Sequence, residues 1–164
     1  MLVTRADDDL AFVHATMGSN LDTMLVFNIL RTHSYLAPFV DADLRRQQLT
    51  AAQLNALLVL RKAADAGLLM SDIGQKLVVT KSNVTGLVDR LEAQGLVLRL
   101  EHPDRRATLI RITPAGRQLV DQAAPHHARL LAELASCLTA PEKKTLVALL
   151  TKLRAELRRR REEL

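Results

Sequence analysis

Thr80-Lys81-Ser82-Asn83-Val84-Thr85-Gly86-Leu87-Val88-Asp89-Arg90-Leu91-Glu92-Ala93-Gln94-Gly95, followed without a gap by Leu96-Val97-Leu98-Arg99-Leu100, is the stretch whose reading decides the fold. Thr80 offers an N-cap for a helix over Lys81–Ala93, because its hydroxyl can accept one of the amides that a first helical turn leaves unbonded. Val84, Leu87, Val88 and Leu91 recur at the three- and four-residue spacing of one buried helix face. Gly95 supplies the left-handed residue that ends such a helix. The outward side begins with Thr80, Lys81, Ser82, Asn83 and Thr85, short donors and acceptors plus one cation, where a core helix would be apolar. The texture then changes: Leu96 to Leu100 and 107–112 are short β-prone runs on either side of Glu101-His102-Pro103-Asp104-Arg105-Arg106, which predicts a hairpin with a charged tip.

Working upstream, Thr50-Ala51-Ala52-Gln53 matches a capping box, and Leu54, Leu57, Leu58 and Leu60 follow it. This helix is expected to stop at Ala66-Gly67, with a short helix over 71–77 after it. Three helices and a hairpin in that order make a winged helix-turn-helix, whose last helix is sized for the major groove of DNA. Working downstream, Thr113-Pro114 places a cap and a proline at a helix start, and apolar residues run on from Leu119 to Leu138, with a kink expected at Pro125. Thr139-Ala140-Pro141-Glu142 opens a last helix with Leu146, Leu149, Leu150, Leu153 and Leu157 on one stripe. At the other end, 20–43 reads as one long helix with a kink or break expected before Pro38. The fold class is therefore mainly α: a winged helix-turn-helix over 48–117, flanked by helical regions, 1–47 and 118–164, that pair two copies of the chain. No linker or repeat interrupts this order, so a single rigid unit is expected.

Composition limits what such a chain can do. Of 164 residues, 48% are hydrophobic, only 2% are aromatic and none is Trp, so the core is built from aliphatic side chains, which suits packed helices. The net charge of +5 suits a polyanionic partner, since each cation set against a phosphate releases counterions. The Arg158-Arg159-Arg160-Arg161 run beside Glu162 and Glu163 reads instead as a solvated helix end. Cys137 is the lone cysteine, read as a buried structural thiol, and it excludes an internal disulfide. His14, His33, His102, His126 and His127 contain no pair at ligand spacing on one helix, so no metal and no cofactor is expected. Glycine-rich phosphate loops, nucleophile elbows and zinc-protease patterns are missing from the sequence, which argues against an enzyme. There is no leader pattern or membrane-spanning run, and the expected location is the cytoplasm.

The residues Leu77-Val78-Val79-Thr80-Lys81-Ser82-Asn83-Val84-Thr85, Leu87-Val88-Asp89-Arg90-Leu91-Glu92-Ala93-Gln94-Gly95-Leu96-Val97, Asp104-Arg105-Arg106 and Ile112-Thr113-Pro114-Ala115-Gly116 resemble the multiple antibiotic resistance regulator (MarR) family. The resemblance covers about the middle 70 residues motif by motif, and the flanking helices match by length and pattern. It implies a homodimer on a pseudo-palindromic operator, repressing transcription until a small anionic or phenolic effector, an oxidant or a metal alters the spacing of its two reading heads. Thr80, Lys81, Ser82, Asn83 and Thr85 would then enter the major groove. Asp104 would hold the wing in shape while Arg105 or Arg106 reaches the minor groove beside His102. In the family the first long helix lines a cleft, which makes Asn28, Arg31, His33 and Tyr35 the candidates for an effector pocket. The sequence departs from the family pattern at Gly86, where many members are basic, and in a wing one residue shorter between Arg99 and Asp104. It also has Leu69 where a small polar cap is usual, which passes the capping role to Ser71. The competing reading is a winged-helix protein-interaction module that binds no DNA. Cations at both the helix start, Lys81, and the wing tip, Arg105 and Arg106, favour DNA, whose phosphates are spaced along a groove.

Overall fold

A computed structural model describes residues 20–77, 81–104 and 107–163. In chain order these form α1 (Leu21–Arg46), α2 (Ala51–Lys62), a 3₁₀ turn (Ala64–Ala66), β1 (Leu68–Leu69), α3 (Met70–Leu77), α4 (Lys81–Ala93), β2 (Val97–Leu100), β3 (Leu109–Ile112), α5 (Pro114–Leu134) and α6 (Ala140–Glu162). The chain divides into two compact units, one ending at His127 and the other beginning at Ala128. This corrects the expected single unit. The second unit consists of the end of α5 and all of α6, and none of its described residues belongs to the buried core.

In the first unit, Leu54, Ala56, Leu57 and Leu60 of α2 meet Ile73 of α3 and Val84, Leu87, Val88 and Leu91 of α4 in one core, joined by Val97, Ile110 and Ile112 from the strands. Leu44 of α1 and Val120 and Ala123 of α5 complete it. The local reasons lie in the sequence. Thr50 and Gln53 form the predicted capping box, Gln53 N–H donating to Thr50 Oγ1 (3.2 Å) and Thr50 N–H to Gln53 Oε1 (2.9 Å). The Gln53 amide also donates to Gln94 Oε1 (3.1 Å), which ties the start of α2 to the end of α4.

At the end of α4, Gly95 takes φ +69°; its N–H reaches Glu92 O (2.8 Å) and that of Leu96 reaches Leu91 O (2.9 Å), the paired bonds of a Schellman ending. The corner is then fastened to α5. Thr113 Oγ1 donates to Gly95 O (2.7 Å) and accepts from Gly116 N–H (3.0 Å), and Thr113 N–H donates to Leu96 O (3.0 Å). One threonine thus closes α4, starts α5 and carries the sheet between them.

Several sequence expectations change here. The hairpin is antiparallel, with Val97 opposite Ile112 and Leu100 opposite Leu109, but the sheet has three strands in the order β1-β3-β2. The added strand is Leu68–Leu69, so Leu69 occupies a sheet position, and Ser71 lies inside α3 rather than at its cap. α1 continues through Pro38 without the break that is one of the two outcomes expected there, and α5 spans Pro125. Each proline removes one backbone donor, and the bonds on either side carry the helix past it. Cys137 is exposed in the turn ahead of α6, because that short connection has no layer above it within its unit. Thr139 does cap α6: its N–H and hydroxyl both donate to Glu142 Oε2 at 2.7 Å, and these bonds hold the Glu142 carboxyl below the usual carboxylate range.

Candidate nucleic-acid interface

α4 divides by face as the apolar spacing requires. Val84, Leu87, Val88 and Leu91 are between 0% and 3% exposed, whereas Asn83 and Thr85 face solvent. Thr85 Oγ1 also lies 3.7 Å from Met70 Sδ, a contact that orients it against the first residue of α3. α3 packs against both α2 and α4, so the outward side of α4 is presented from a three-helix base. Thr80 lies outside the described residues. Lys81 and Ser82 occupy the first turn of α4, and their side chains are not among those described.

At the wing, His102 Nδ1 accepts from Asp104 N–H (3.1 Å), and Ala107 N–H donates to Asp104 O (3.0 Å). Asp104 is exposed and His102 half-buried; Arg105 and Arg106 lie outside the described residues. The structure therefore brings Asn83, Thr85, His102 and Asp104 onto two adjoining elements, α4 and the β2–β3 hairpin, which are in contact through α4 and β2.

The sequence reading missed what joins those two elements. Arg99 of β2 reaches back across α4 and pairs with Asp89 (2.5 Å) and with Glu92. The bond to Asp89, chiefly, makes the guanidinium hold its proton more firmly than in free arginine, and Glu92 adds to it. The arrangement locks the wing to the reading helix through a partly exposed ion-pair network. Its only sequence signal is a lone arginine at an outward strand position seven residues after Glu92. Arg99→Ala is expected to lower unfolding stability by about 1 kcal/mol, the upper range for exposed pairs, and to speed hydrogen exchange at β2 and β3. A urea titration and exchange measurement check this, and unchanged exchange would show that the strand pairing alone holds the wing.

Charge is distributed in keeping with the geometry. Residues 48–117 hold ten Lys and Arg against six Asp and Glu, and 140–163 hold eight against four, so the rest of the chain is net acidic. The segment that contains α4 and the wing is thus net positive, as a DNA-facing surface requires, and the α6 segment carries an equal excess.

The proposed effector residues all lie on α1. Arg31 and Tyr35 come together, Arg31 Nη2 lying 3.4 Å from Tyr35 Oη and the guanidinium 5.8 Å from the ring centroid. Asn28 Nδ2 donates to Met24 O of its own helix (2.8 Å), and His33 points elsewhere around α1. Arg31 is half-buried and the other three are exposed. No helix among the described residues is long and apolar enough to cross a membrane.

These elements define the class as a winged helix-turn-helix protein. The sequence profile of the MarR family matches residues 47–107. The HTH-type transcriptional regulator YkoM of Bacillus subtilis is 33% identical over 84 residues, covering 51% of this chain and 54% of YkoM, so the chain spans about half the length of such curated relatives. Among solved structures, apo wild-type MarR of E. coli is 30% identical, with 79% of this chain and 95% of that chain covered and a TM-score of 0.63. A cysteine-to-serine mutant of the same MarR, solved in complex with operator DNA, is 29% identical, with 82% and 99% covered and a TM-score of 0.72. BpsR of Bordetella bronchiseptica, from a study of how 6-hydroxynicotinic acid regulates its DNA binding, is 25% identical, with 84% and 94% covered and a TM-score of 0.72. This chain belongs to the MarR family.

Proposed function

We propose that this chain is a sequence-specific DNA-binding transcriptional regulator in the cytoplasm, acting by binding rather than catalysis. Residues 48–117 read a pseudo-palindromic operator, and 1–47 with 118–164 pair two copies into a homodimer. It represses until a small anionic or phenolic effector releases it, as the regulation of BpsR by 6-hydroxynicotinic acid supports. The observation that carries the reading is the divided α4, sealed into the core on one side and offering Asn83 and Thr85 on the other, with the wing locked beside it by Arg99. Asn can pair with an adenine edge through two hydrogen bonds, while wing cations suit the narrow minor groove. Asn28, Arg31, His33 and Tyr35 remain the candidate effector contacts, the paired Arg31 and Tyr35 being suited to a flat anion.

Fluorescence anisotropy on a duplex of the chain's own upstream region and on a scrambled duplex, at two salt concentrations, tests this. The operator should bind more tightly than the scramble, and both affinities should fall with salt. Arg106→Ala should weaken both duplexes alike and lower the salt slope by about one. Asn83→Ala should cut discrimination between base substitutions by about 1–3 kcal/mol. Unchanged binding in both variants would remove these elements from the interface, and no binding even at low salt would replace the reading with that of a protein-interaction module.

A further inference from the structure

A buried carboxylate with no part in the interface above sits at the point where α1 hands the chain to the reading head. Asp43, in the last turn of α1, is 5% exposed. Its Oδ1 lies 3.0 Å from His126 Nε2 and its Oδ2 2.9 Å from His127 Nδ1, both on α5. Neighbouring residues of a helix point about 100° apart, so the two rings straddle the carboxylate and engage one oxygen each. A buried carboxylate is tolerated only where both oxygens are bonded, which fixes the end of α1 at the one place where both imidazoles reach it.

Beyond Asp43 the backbone is constrained. The chain turns through Gln47 and Gln48, and Gln48 holds φ +56°, left-handed for a residue with a side chain. Gln47 Nε2, one turn beyond Asp43, is buried and finds no hydrogen-bond partner among the described residues. Leu49 N–H then closes on Leu44 O (3.0 Å), and Thr50 starts α2. A clamped charge, an orphan donor and a strained residue within six positions mark a junction held in one geometry at a cost in local stability.

We infer that Asp43, held by His126 and His127, is a positioning residue that fixes the angle at which α1 delivers the reading head, and so sets the operator spacing the dimer accepts. The inference rests on the DNA-binding reading. Along the chain α1 lies on one side of the Gln47–Gln48 turn and α2 to α4 on the other, while α5, which follows the wing, meets the end of α1 through His126 and His127. A clamp between α1 and α5 therefore removes the hinge freedom that the turn alone leaves. Two heads in a symmetric dimer must meet half-sites about 10 base pairs apart, and looser heads tolerate other spacings.

The test uses the full chain and an operator selected from a random duplex pool. Affinity is measured for that operator, for versions with the half-sites moved by one base pair, and for random duplex, with the dimer followed by sedimentation. Asp43→Leu should lose about tenfold on the selected operator, the scale of coupling by residues that touch no ligand, and should distinguish the shifted spacings less sharply. Its affinity for random duplex and its dimerisation should not change. Asp43→Asn, which can still bond both rings through one acceptor and one donor, should restore the spacing preference. If Asp43→Leu does not fold, Asp43→Leu with His127→Phe, which replaces the buried polar pair by apolar groups, carries the same expectation. A folded variant with wild-type affinity and wild-type spacing preference overturns the clamp alone. A wild-type protein that selects no operator overturns the DNA-binding reading and the clamp with it.

Discussion

Gly116→Ala lowers unfolding stability by about 3 kcal/mol, the upper end of what overpacking costs, and the protein is expected to lose most of its cooperative transition at physiological temperature. A methyl group built at this position stands 2.2 Å from Leu96 O and 2.8 Å from Ile112 Cγ1. The first neighbour is backbone, and it is the carbonyl that accepts the Thr113 amide, so it cannot retreat without breaking the joint between α4, the sheet and α5. Gly67→Ala is expected to be damaging for two reasons, since its methyl would lie 2.7 Å from Ile110 O and its backbone, φ +69° with ψ −173°, lies in a region essentially reserved for glycine. Gly86→Ala gives the contrast: nothing lies within 4 Å of the added carbon in the middle of α4, and alanine should stabilise the helix by about 1 kcal/mol. Urea titrations of the three variants check the order. A Gly116→Ala protein as stable as the parent would mean that Leu96 and Thr113 do not meet α5 as described.

The contrast also shows what was legible in the sequence. Periodicity is local information, and α2 and α4 announced themselves through it, because a capping box and a three- and four-residue apolar spacing are set within one or two turns. The wing was legible for the same reason, two β-prone runs about a charged tip. Leu68–Leu69 was not, since a two-residue strand has no period to read and exists only because Ile110 and Leu109 lie beside it. The continuation of α1 past Pro38 could not be told from a break, because the proline rule weighs one missing bond and ignores the many that remain. Within the candidate interface, Asn83 and Thr85 could be proposed from residue type and position, and they lie on the solvent-facing side of α4. Arg99 could not, because its carboxylate partners are set by how β2 crosses α4. The Asp43 clamp joins residues 84 positions apart, a distance at which spacing carries no signal. Cys137 misled for a related reason: cysteine is often buried, and only tertiary context shows that this turn is open.

Leu149→Glu is expected to convert the protein from dimer to monomer at micromolar concentration and to lower its operator affinity by about a hundredfold, the scale of avidity lost when two linked contacts become one. On α6, Leu146, Val147, Leu149 and Leu157 are 47%, 64%, 60% and 57% exposed in the single chain. On α1 the same holds for Leu21, Leu25, Val26, Leu30 and Phe39, each more than half exposed. Isolated exposed leucines are ordinary, but two long helices that each leave apolar rows uncovered mark association surfaces. Burying one leucine is worth about 1.5–3 kcal/mol, and a twofold interface uses every residue twice, so one charge substitution is felt on both sides of the axis. Because Leu149 has no part in the buried core, the variant's circular dichroism should match that of the parent, which separates lost assembly from lost folding. Sedimentation and anisotropy on the same samples decide the matter. A dimer that persists with full affinity would place the interface away from the apolar row of α6, whereas a monomer that still binds at full strength would show that one reading head suffices and that the operator need not be a repeat.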